Sequence, residues 1–363
     1  MKKINVELKD NPYSVFLGKS ILPQLQTTIS RFNLYKKILV IIDENVERLH
    51  SDRVRTALDS NYNKILFYVL KPGEKSKSYT ELNKIYSYML ENNYGRDSLI
   101  IVIGGGVTGD LGAFAASTFM RGVQLIHIPT TLLAAVDSSI GGKTGINFNS
   151  KKNMVGTFYQ PKFVFIDIDF LQTLPKGEIT SGAGEIIKYA YMADNSFYNY
   201  TNENLLKLFD FNLNVLQELI FNSALIKAGV VSQDEKESGI RKILNLGHTF
   251  AHAFESDLNF KIKHGEAVTA GVITALILSN KRGLLTDKKF EEFISLPMKM
   301  KLNKKITSFN IENVFSLMHS DKKNREGKIK FVLVSDIGKL LVDLEADKKD
   351  VYYALNKTRE ILT

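Results

Sequence analysis

Cysteine is absent from this chain of 363 residues. The sequence therefore excludes disulfides, thiolate zinc ligands and a cysteine nucleophile. Long apolar runs are also missing, since no stretch reaches the roughly 18 uncharged apolar residues of a membrane span. The first ten residues, MKKINVELKD, lack the apolar segment of a secretory signal peptide. These absences predict a cytoplasmic globular protein with no membrane partner.

The charge balance is positive, with 48 Lys and Arg against 39 Asp and Glu and a net charge of +9. Positive charge favours anionic partners. The lysines are scattered apart from KMKLNKK (299–305), and no zinc-finger or ribonucleoprotein signature is present. We therefore predict no nucleic-acid partner. An anionic small substrate suits this balance, and so does a lysine-rich composition with solvated faces.

The first half of the sequence alternates strand-like and helix-like segments. Apolar, β-branched runs occupy 36–43, 64–70, 98–104 and 123–129, with a helical pattern at 78–93. Continuous apolar strands separated by helices indicate a parallel sheet covered on both faces. Helical periodicity then dominates after FVFIDIDFL (163–171). The pattern predicts an α/β Rossmann-like nucleotide-binding domain over 1–172 and a mainly α-helical domain over 173–363.

A glycine cluster follows the third of these strands, in IVIGGGVTGDLGAFAA (101–116), where Gly104, Gly106 and Gly109 match G-x-G-x-x-G. Glycine lets the backbone approach a pyrophosphate, and a helix N-terminus offers free N–H groups. No acidic residue stands at the usual distance after this motif, so Asp43, at the end of the first strand, is the better candidate to bind a ribose hydroxyl. The alternative is a tight turn that packs a helix on the sheet.

A polar run, HIPTTLLAAVDSSIGGKTGINFNSKKNMVG (127–156), comes soon afterwards. Its polar and charged residues include Thr130, Thr131, Asp137, Ser138, Ser139, Lys143, Thr144, Lys152 and Asn153. Gly-Gly-Lys-Thr resembles the end of a P-loop, but the first glycine of that motif is missing. The interleaved apolar TLLAAV indicates a buried edge rather than a solvated loop. We predict contacts with a substrate or a phosphate group.

Three of the six histidines, His248, His252 and His264, fall within 17 residues. His248 and His252 have the helical spacing of a metal-binding pair, but the intervening glutamate of H-E-x-x-H is missing. Glu185 lies in an apolar helix with Lys188 one turn later. Two histidines and one glutamate would complete a zinc site without cysteine. The spacing leaves open which two histidines bind, and whether these are core histidines instead.

The segment before the histidines contributes Lys227, Arg241 and Asn245. Spacing of about four residues places Arg241, Asn245 and one of the following histidines on one helix face. A cation, an amide and an imidazole suit a hydroxylated substrate with a carboxylate. The alternative for Arg241 is a salt bridge with Glu237.

Taken in order, these motifs resemble the 3-dehydroquinate synthases of the sugar phosphate cyclase superfamily. The matching runs are DENV (43–46), PGEKSK (72–77), GGGVTGDLGAF (104–114), FMRG (119–122), PTTLLAAVDSSIGGKTGIN (129–147), KN (152–153), LPKGEITSGAGEIIKYA (174–190), DEKESGIRKILNLGHTFAHAFE (234–255), HGEAV (264–268) and DKKNREGK (321–328). They span nearly the whole chain. Lys151 is a departure, because the family usually has glycine there.

The resemblance implies a dehydroquinate synthase-like fold and a phosphorus–oxygen lyase of the shikimate pathway to aromatic amino acids. Such enzymes convert 3-deoxy-D-arabino-heptulosonate 7-phosphate into 3-dehydroquinate and phosphate, with NAD and Zn²⁺ or Co²⁺. The steps are transient oxidation, phosphate elimination, re-reduction and aldol closure. The alternatives are another sugar phosphate cyclase, a metal-dependent polyol dehydrogenase, and a non-catalytic nucleotide-binding protein.

The resemblance also implies residue roles. The implied metal ligands are Glu185, His248 and His264. The implied NAD contacts are Asp43, Asn45, Glu74, Lys77, Gly105, Gly106, Val107, Asp110, Thr130, Thr131, Lys143, Lys152 and Thr173. The implied catalytic residues are Lys143, His252, Asn153, Lys188 and Arg121, and the substrate-binding residues are Asp137, Lys227, Arg241, Asn245 and one of Lys322 and Lys323. Arg121 is expected to reach the neighbouring site of a homodimer.

Overall fold

The computed structural model describes residues 1–32, 37–58, 65–149, 151–319 and 329–363. The chain forms two compact units. The first contains Met1–Leu174 and Leu216–Lys236, and the second contains Pro175–Val215 and Glu237–Thr363.

The strands are β1 (Lys2–Val6), β2 (Tyr13–Gly18), β3 (Lys37–Asp43), β4 (Ile65–Leu70), β5 (Ser98–Gly104), β6 (Gln124–Pro129), β7 (Ile146–Phe148), β8 (Lys151–Val155), β9 (Phe163–Asp167), β10 (Lys330–Asp336) and β11 (Lys339–Glu345). The helices are α1 (Leu25–Ser30), α2 (Glu44–Leu58), α3 (Tyr79–Glu91), α4 (Gly106–Thr118), α5 (Lys176–Met192), α6 (Asn195–Asn204), α7 (Leu213–Gln233), α8 (His248–Asp257), α9 (His264–Lys281), α10 (Asp287–Ile294), α11 (Ile311–His319) and α12 (Lys348–Leu362).

A seven-stranded sheet, with strand order β1-β2-β9-β6-β5-β3-β4, forms the centre of the first unit. The β1–β2 pair is antiparallel, and the other neighbours in this sheet are parallel. Every residue of β5 and β9 is buried, which explains their continuous apolar sequences. The predicted parallel α/β fold is confirmed. The β1–β2 hairpin was not predicted.

The strand order reverses beside β3, which pairs with β4 on one side and β5 on the other. In open α/β sheets, the carboxyl ends of the strands at such a reversal form the ligand-binding crevice. Asp43 ends β3 and Gly104 ends β5, and the preceding residues, Ile42 and Ile103, are paired. The sheet therefore brings the candidate ribose-binding carboxylate and the glycine turn to the same edge.

The second unit is mainly helical, as the sequence predicts, and is built around α9. Residues 265–279 of this helix are all buried, so it is a core helix and not an amphipathic surface helix. It packs against α5, α8 and α12. The antiparallel β10–β11 hairpin was not predicted.

Much of α7 belongs with the first unit, although the sequence-based division at 172/173 places it in the second domain. The Lys2 ammonium lies 2.6 Å from the Glu218 carboxylate, and the backbone N–H of Glu7 donates to the Ser232 hydroxyl at 2.9 Å. The helix is long and apolar enough to cross a membrane by length and composition alone. More than half of its most apolar window is buried, as in the core helix of a soluble protein.

Backbone contacts between glycines set the spacing of α5, α8 and α9. A Cβ atom at Gly184 in α5 would lie 2.3 Å from the carbonyl oxygen of Gly265 in α9. A Cβ atom at Gly271 in α9 would lie 2.2 Å from the carbonyl oxygen of Gly247, just before α8. Any side chain at these positions would force the helices apart.

We predict that Gly184→Ala destabilises the second unit by about 3 kcal/mol, because the added methyl group meets backbone that cannot move aside. Gly229 in α7 is the matched control, since a Cβ atom there meets nothing within 4 Å. Gly229→Ala should leave stability unchanged or raise it by up to about 1 kcal/mol through helix propensity. Calorimetric unfolding of both variants measures the difference. Equal changes in unfolding temperature would contradict the packing explanation.

Candidate active site and metal centre

Three side chains of the second unit form a cluster with the geometry of a metal site. Glu185 is in the middle of α5, whereas His248 and His264 are the first residues of α8 and α9. Their ligand atoms all lie within 4.8 Å of one another. Glu185 Oε1 is 3.0 Å from His264 Nε2 and 3.3 Å from His248 Nε2. The structure thus brings together two of the three neighbouring histidines and the candidate glutamate.

The other ring nitrogens of both histidines have partners that orient the imidazoles. His248 Nδ1 lies 3.2 Å from the carbonyl oxygen of Leu246, and His264 Nδ1 lies 3.5 Å from Glu255 Oε1. A metal-binding histidine usually donates its second ring N–H to such a group, which fixes the ring and its tautomer. Glu255 was not predicted as a site residue. The sequence feature that could have indicated Glu255 is its position seven residues after His248, two helical turns along the same helix.

The electrostatics of the cluster suit a divalent cation. Burial lowers the pKa of His248 to about 4, so its ring is neutral and can coordinate a metal. Burial alone would raise the pKa of Glu185, but the charge of Lys188 and the hydrogen bonds with His248 and His264 outweigh it and hold that pKa well below its usual range. For His264, burial by itself would lower the pKa, but hydrogen bonds with Glu185 and Glu255 raise it to about 10. A bound cation would replace that proton.

Lys188 lies one helical turn after Glu185 and forms an ion pair with its Oε2. Both side chains are almost completely buried, so the pairing compensates the cost of removing each charge from water. Lys188 and Glu185 thus form a buried ion pair, as expected for a lysine and a carboxylate on the same face of an apolar helix. Two imidazoles and one carboxylate form the N/O donor set that Zn²⁺ and Co²⁺ accept.

The residues before α8 do not continue that helix, contrary to the expectation of one shared face. Arg241 and Asn245 lie in a 3₁₀ helix, Ile240–Asn245, and Gly247 with a φ of +76° separates it from α8. This left-handed glycine breaks the helix and lets His248 begin a new one. Asn245 Nδ2 donates to Glu237 Oε1 at 2.9 Å, so these two residues are held together.

His252 follows His248 by one turn of α8. The two ring centroids are 5.5 Å apart, and the rings are nearly perpendicular. His252 is partly exposed, whereas Arg241 is buried. His252 thus lies next to the cluster of Glu185, His248 and His264.

The glycine turn of the first unit forms a helix N-terminus open to a ligand. Helix α4 begins at Gly106, and Gly105 caps it without a side-chain hydrogen bond. A Cβ atom at Gly105 would lie 2.9 Å from Thr131 Cγ2, and the Thr130 N–H donates to the Gly104 carbonyl at 3.0 Å. Gly105 and Gly106 are partly exposed, and the N–H groups at a helix N-terminus can bind a phosphate.

Other predicted nucleotide contacts surround this edge of the sheet or lie in the same unit. Asp43 Oδ1 accepts from the Asn45 N–H at 2.9 Å, and burial raises the pKa of Asp43. Thr173 Oγ1 lies 2.8 Å from Nε2 of His50, a buried residue that the sequence did not single out. These contacts fix the side chains that would meet a ribose or a base.

Two buried lysines of the first unit contact predicted site residues. The Lys77 ammonium contacts both the Asp110 carboxylate and the Asn153 side-chain oxygen. The Lys227 ammonium forms an ion pair with Asp137 and donates to its carbonyl oxygen at 2.6 Å. Asp137 lies in a π-helical turn, Ala134–Ser138, a conformation frequent at functional sites.

The remaining predicted residues are placed as follows. Arg121, Lys143 and Lys152 are exposed, and Arg121 has a φ of +69°. The departure at Lys151 falls at the start of β8, where it pairs with Phe148. Lys322 and Lys323 lie outside the described residues.

We predict that Glu255→Gln weakens metal binding by about 10-fold to 100-fold, because His264 loses the carboxylate that orients its ring. Titration of the purified protein with Zn²⁺ against a competing chelator measures the affinity. Glu218→Gln is the control, since Glu218 forms an ion pair with Lys2 in the first unit, whereas the cluster lies in the second. If both variants bind Zn²⁺ as tightly as the native chain, Glu255 does not orient His264 for metal binding.

Comparisons with known proteins identify the family of this chain. The family model of the 3-dehydroquinate synthase N-terminal region matches residues 67–181, and that of the C-terminal region matches 182–324. A 3-dehydroquinate synthase of Alkaliphilus metalliredigens is 42% identical over 334 residues, with 92% of each chain covered. One from Vibrio atlanticus is 39% identical, covering 99% of this chain and 100% of that one.

Solved structures show the same fold at lower identity. A 2-deoxy-scyllo-inosose synthase complexed with carbaglucose-6-phosphate, NAD⁺ and Co²⁺ has a TM-score of 0.88 and 24% identity, covering 98% of this chain and 99% of that one. A 2-epi-5-epi-valiolone synthase from Streptomyces hygroscopicus, with NAD⁺ and Zn²⁺ bound, has a TM-score of 0.85 and 23% identity, covering 97% and 98%. Together, the matched family models and the full-length relatives establish that this chain belongs to the 3-dehydroquinate synthase family.

Proposed function

We propose that this enzyme of the 3-dehydroquinate synthase family converts 3-deoxy-D-arabino-heptulosonate 7-phosphate into 3-dehydroquinate and phosphate through the site described above. The Glu185–His248–His264 cluster carries the proposal, because it supplies the three N/O ligands of a catalytic metal site. The α/β unit supplies an open helix N-terminus for a dinucleotide. The proposed setting is the cytoplasm, with the shikimate pathway as its metabolic role.

The proposed cofactors are NAD and a divalent metal, Zn²⁺ or Co²⁺. The two cyclase structures named above contain NAD⁺ with Co²⁺ or Zn²⁺. Here, Glu185, His248 and His264 would hold the metal, which supplies Lewis acidity toward a substrate hydroxyl or ketone. The buried pair of Lys188 and Glu185 keeps that carboxylate ionised and in place.

The nucleotide is assigned to the edge of the sheet at which the strand order reverses. Gly105 and Gly106 let a pyrophosphate approach the N-terminus of α4, and Asp43 is placed to accept from a ribose hydroxyl. Thr130 and Thr131 support the turn from the next strand. The remaining proposed NAD contacts are Asn45, Glu74, Lys77, Val107, Asp110, Lys143, Lys152 and Thr173.

A substrate with both a carboxylate and a phosphate needs several fixed donors, and the chain offers them. Arg241 is 1% exposed, so its guanidinium plane is rigidly held for bidentate binding of a carboxylate. His252 and Asn153 are proposed to donate to the phosphate. Asp137, Lys143, Lys188, Lys227, Asn245 and one of Lys322 and Lys323 complete the proposed substrate contacts. This combination favours the heptulosonate phosphate over a simple polyol.

We predict that the purified protein, given 3-deoxy-D-arabino-heptulosonate 7-phosphate, substoichiometric NAD and Zn²⁺, releases many phosphate ions per NAD. Phosphate and the absorbance of NADH are followed together. NADH should not accumulate, because the hydride returns to the substrate in each turnover. The variant His264→Ala, which removes a metal ligand, is the inactive control. Steady NADH formation from glycerol, without phosphate release from the heptulosonate, would make the chain a polyol dehydrogenase instead.

We further propose a homodimer in which Arg121 of one protomer completes the site of the other. Arg121 is exposed and adopts a left-handed conformation beside Met120, an exposed apolar residue with a φ of +51°. Backbone strain at non-glycine residues is concentrated at active sites and ligand clamps. A guanidinium held in this way is suited to the phosphate of the neighbouring protomer.

We predict that Arg121→Ala and Lys143→Ala chains are each inactive alone but regain about a quarter of the native activity when co-refolded in equal amounts. Random pairing makes half of the dimers mixed, and each mixed dimer has one intact site. Phosphate release measures the rescue, and mass determination measures dimer formation. Arg121→Ala mixed with Arg121→Ala/Lys143→Ala chains is the control without rescue. No recovery in fully dimeric mixtures would show that Arg121 acts within its own chain.

A further inference from the structure

Asn147 lies in the β7–β8 hairpin, whose second strand carries Asn153. Its backbone N–H donates to the carbonyl oxygen of Lys77 at 2.9 Å, and it forms a parallel bridge with Ser78. The hairpin is therefore attached to the segment from Glu74 to Ser78. That segment contains two of the proposed NAD contacts, and Asn147 itself has no role assigned so far.

The side-chain amide of Asn147 makes two further hydrogen bonds, one within the hairpin and one to the segment from Glu74 to Ser78. Its Oδ1 accepts from the backbone N–H of Asn153 at 3.0 Å, and its Nδ2 donates to Glu74 Oε1 at 2.8 Å. Asn153 has a φ of +54°, a left-handed conformation that asparagine tolerates better than most residues. Asn147 thus holds the backbone of Asn153 in this conformation while it contacts the nucleotide-binding segment.

Lys77 determines which end of the Asn153 amide is presented to a ligand. The buried ammonium group contacts both Asp110 in the first turns of α4 and Asn153 Oδ1. With Oδ1 accepting from the lysine, the N–H₂ group of Asn153 is the end directed to donate. A donor at this place suits the phosphate group of an anionic substrate.

We infer that Asn147 is a positioning residue that joins the nucleotide-binding segment to the phosphate-binding Asn153. When bound NAD fixes the positions of Glu74 and Lys77, the hydrogen bonds of the Asn147 amide fix the hairpin as well. The side-chain N–H₂ group of Asn153 is then placed to donate to the phosphate. Substrate affinity therefore depends on the hydrogen bond between Asn147 and Glu74. This inference rests on the proposed function, which assigns NAD to Glu74 and Lys77 and the phosphate to Asn153.

The test exchanges donor and acceptor in the Asn147–Glu74 pair. Asn147→Asp keeps the shape but places a carboxylate beside the Glu74 carboxylate, so the contact becomes repulsive. At saturating NAD, KM for the heptulosonate phosphate should rise about 10-fold, the effect of losing one hydrogen bond to a charged group. The Kd for NAD and the value of kcat should change much less, because Asn147 acts through Asn153.

The double variant Glu74→Gln/Asn147→Asp should restore the hydrogen bond, since the amide and the carboxylate have changed places. The KM of the double variant for the heptulosonate phosphate should be nearly equal to that of Glu74→Gln alone. A double-mutant cycle that compares the two backgrounds measures the coupling. Equal effects of Asn147→Asp in both backgrounds would overturn the inference, because a general structural defect would not depend on residue 74.

Asn149→Asp is the matched control, because it adds the same charge to the turn of the same hairpin, where asparagine also has a left-handed φ of +47°. The hydrogen bond between Glu74 and the hairpin is made by Asn147. KM for the substrate should stay at the native value in Asn149→Asp. A rise equal to that of Asn147→Asp would attribute the effect to charge in the hairpin and overturn the inference.

Hydrogen exchange separates this inference from the proposed reaction, because it needs no substrate. Addition of NAD to the native chain should slow amide exchange in β8, fail to do so in Asn147→Asp, and do so again in the double variant. Equal protection of β8 by NAD in all three proteins would overturn the link through Asn147. Absence of phosphate release by the native enzyme would overturn only the assignment of substrate.

Discussion

Contact between the backbones of α5, α8 and α9 is the constraint on which the metal cluster depends. Each of the three candidate ligand residues has a glycine as its sequence neighbour, namely Gly184, Gly247 and Gly265, and each glycine touches backbone of another helix of the unit. The helices can therefore approach more closely than side chains would allow. The close approach brings Nε2 of two histidines to one carboxylate oxygen, which long-range electrostatics alone could not arrange.

The sheet applies a different constraint to the nucleotide-binding residues. Parallel pairing aligns the carboxyl ends of β3 and β5, so Asp43 and the glycine turn are neighbours although about 60 residues separate them in the chain. The charged groups around that edge are buried in pairs, such as Lys77 with Asp110. Burial raises the pKa of Asp110, and the lysine opposes that shift. A rigid scaffold thus holds polar groups that loops alone would leave mobile.

The sequence predicted the features that local patterns determine. Continuous β-branched runs gave the parallel strands, and the resemblance gave the family and the three residues that form the candidate metal cluster. Spacing alone could not choose between His252 and His264, because the choice depends on where α9 begins relative to α8. Glu255 and Asn147 were missed because their roles come from contacts with His264, Glu74 and Asn153, which local periodicity does not encode. Amphipathic patterns also failed for the β10–β11 hairpin, whose two short strands lie within a helical region.

Helix α7 begins with residues of the second unit and continues into the first, so the first unit is discontinuous in sequence. During synthesis, residues 1–174 leave the ribosome before the segment that carries Lys227, the partner of Asp137. The α/β unit therefore cannot complete its structure until α5 and α6 have also been made. A fragment that ends at residue 174 would lack one of its own core helices, and the order of translation links the maturation of the two units.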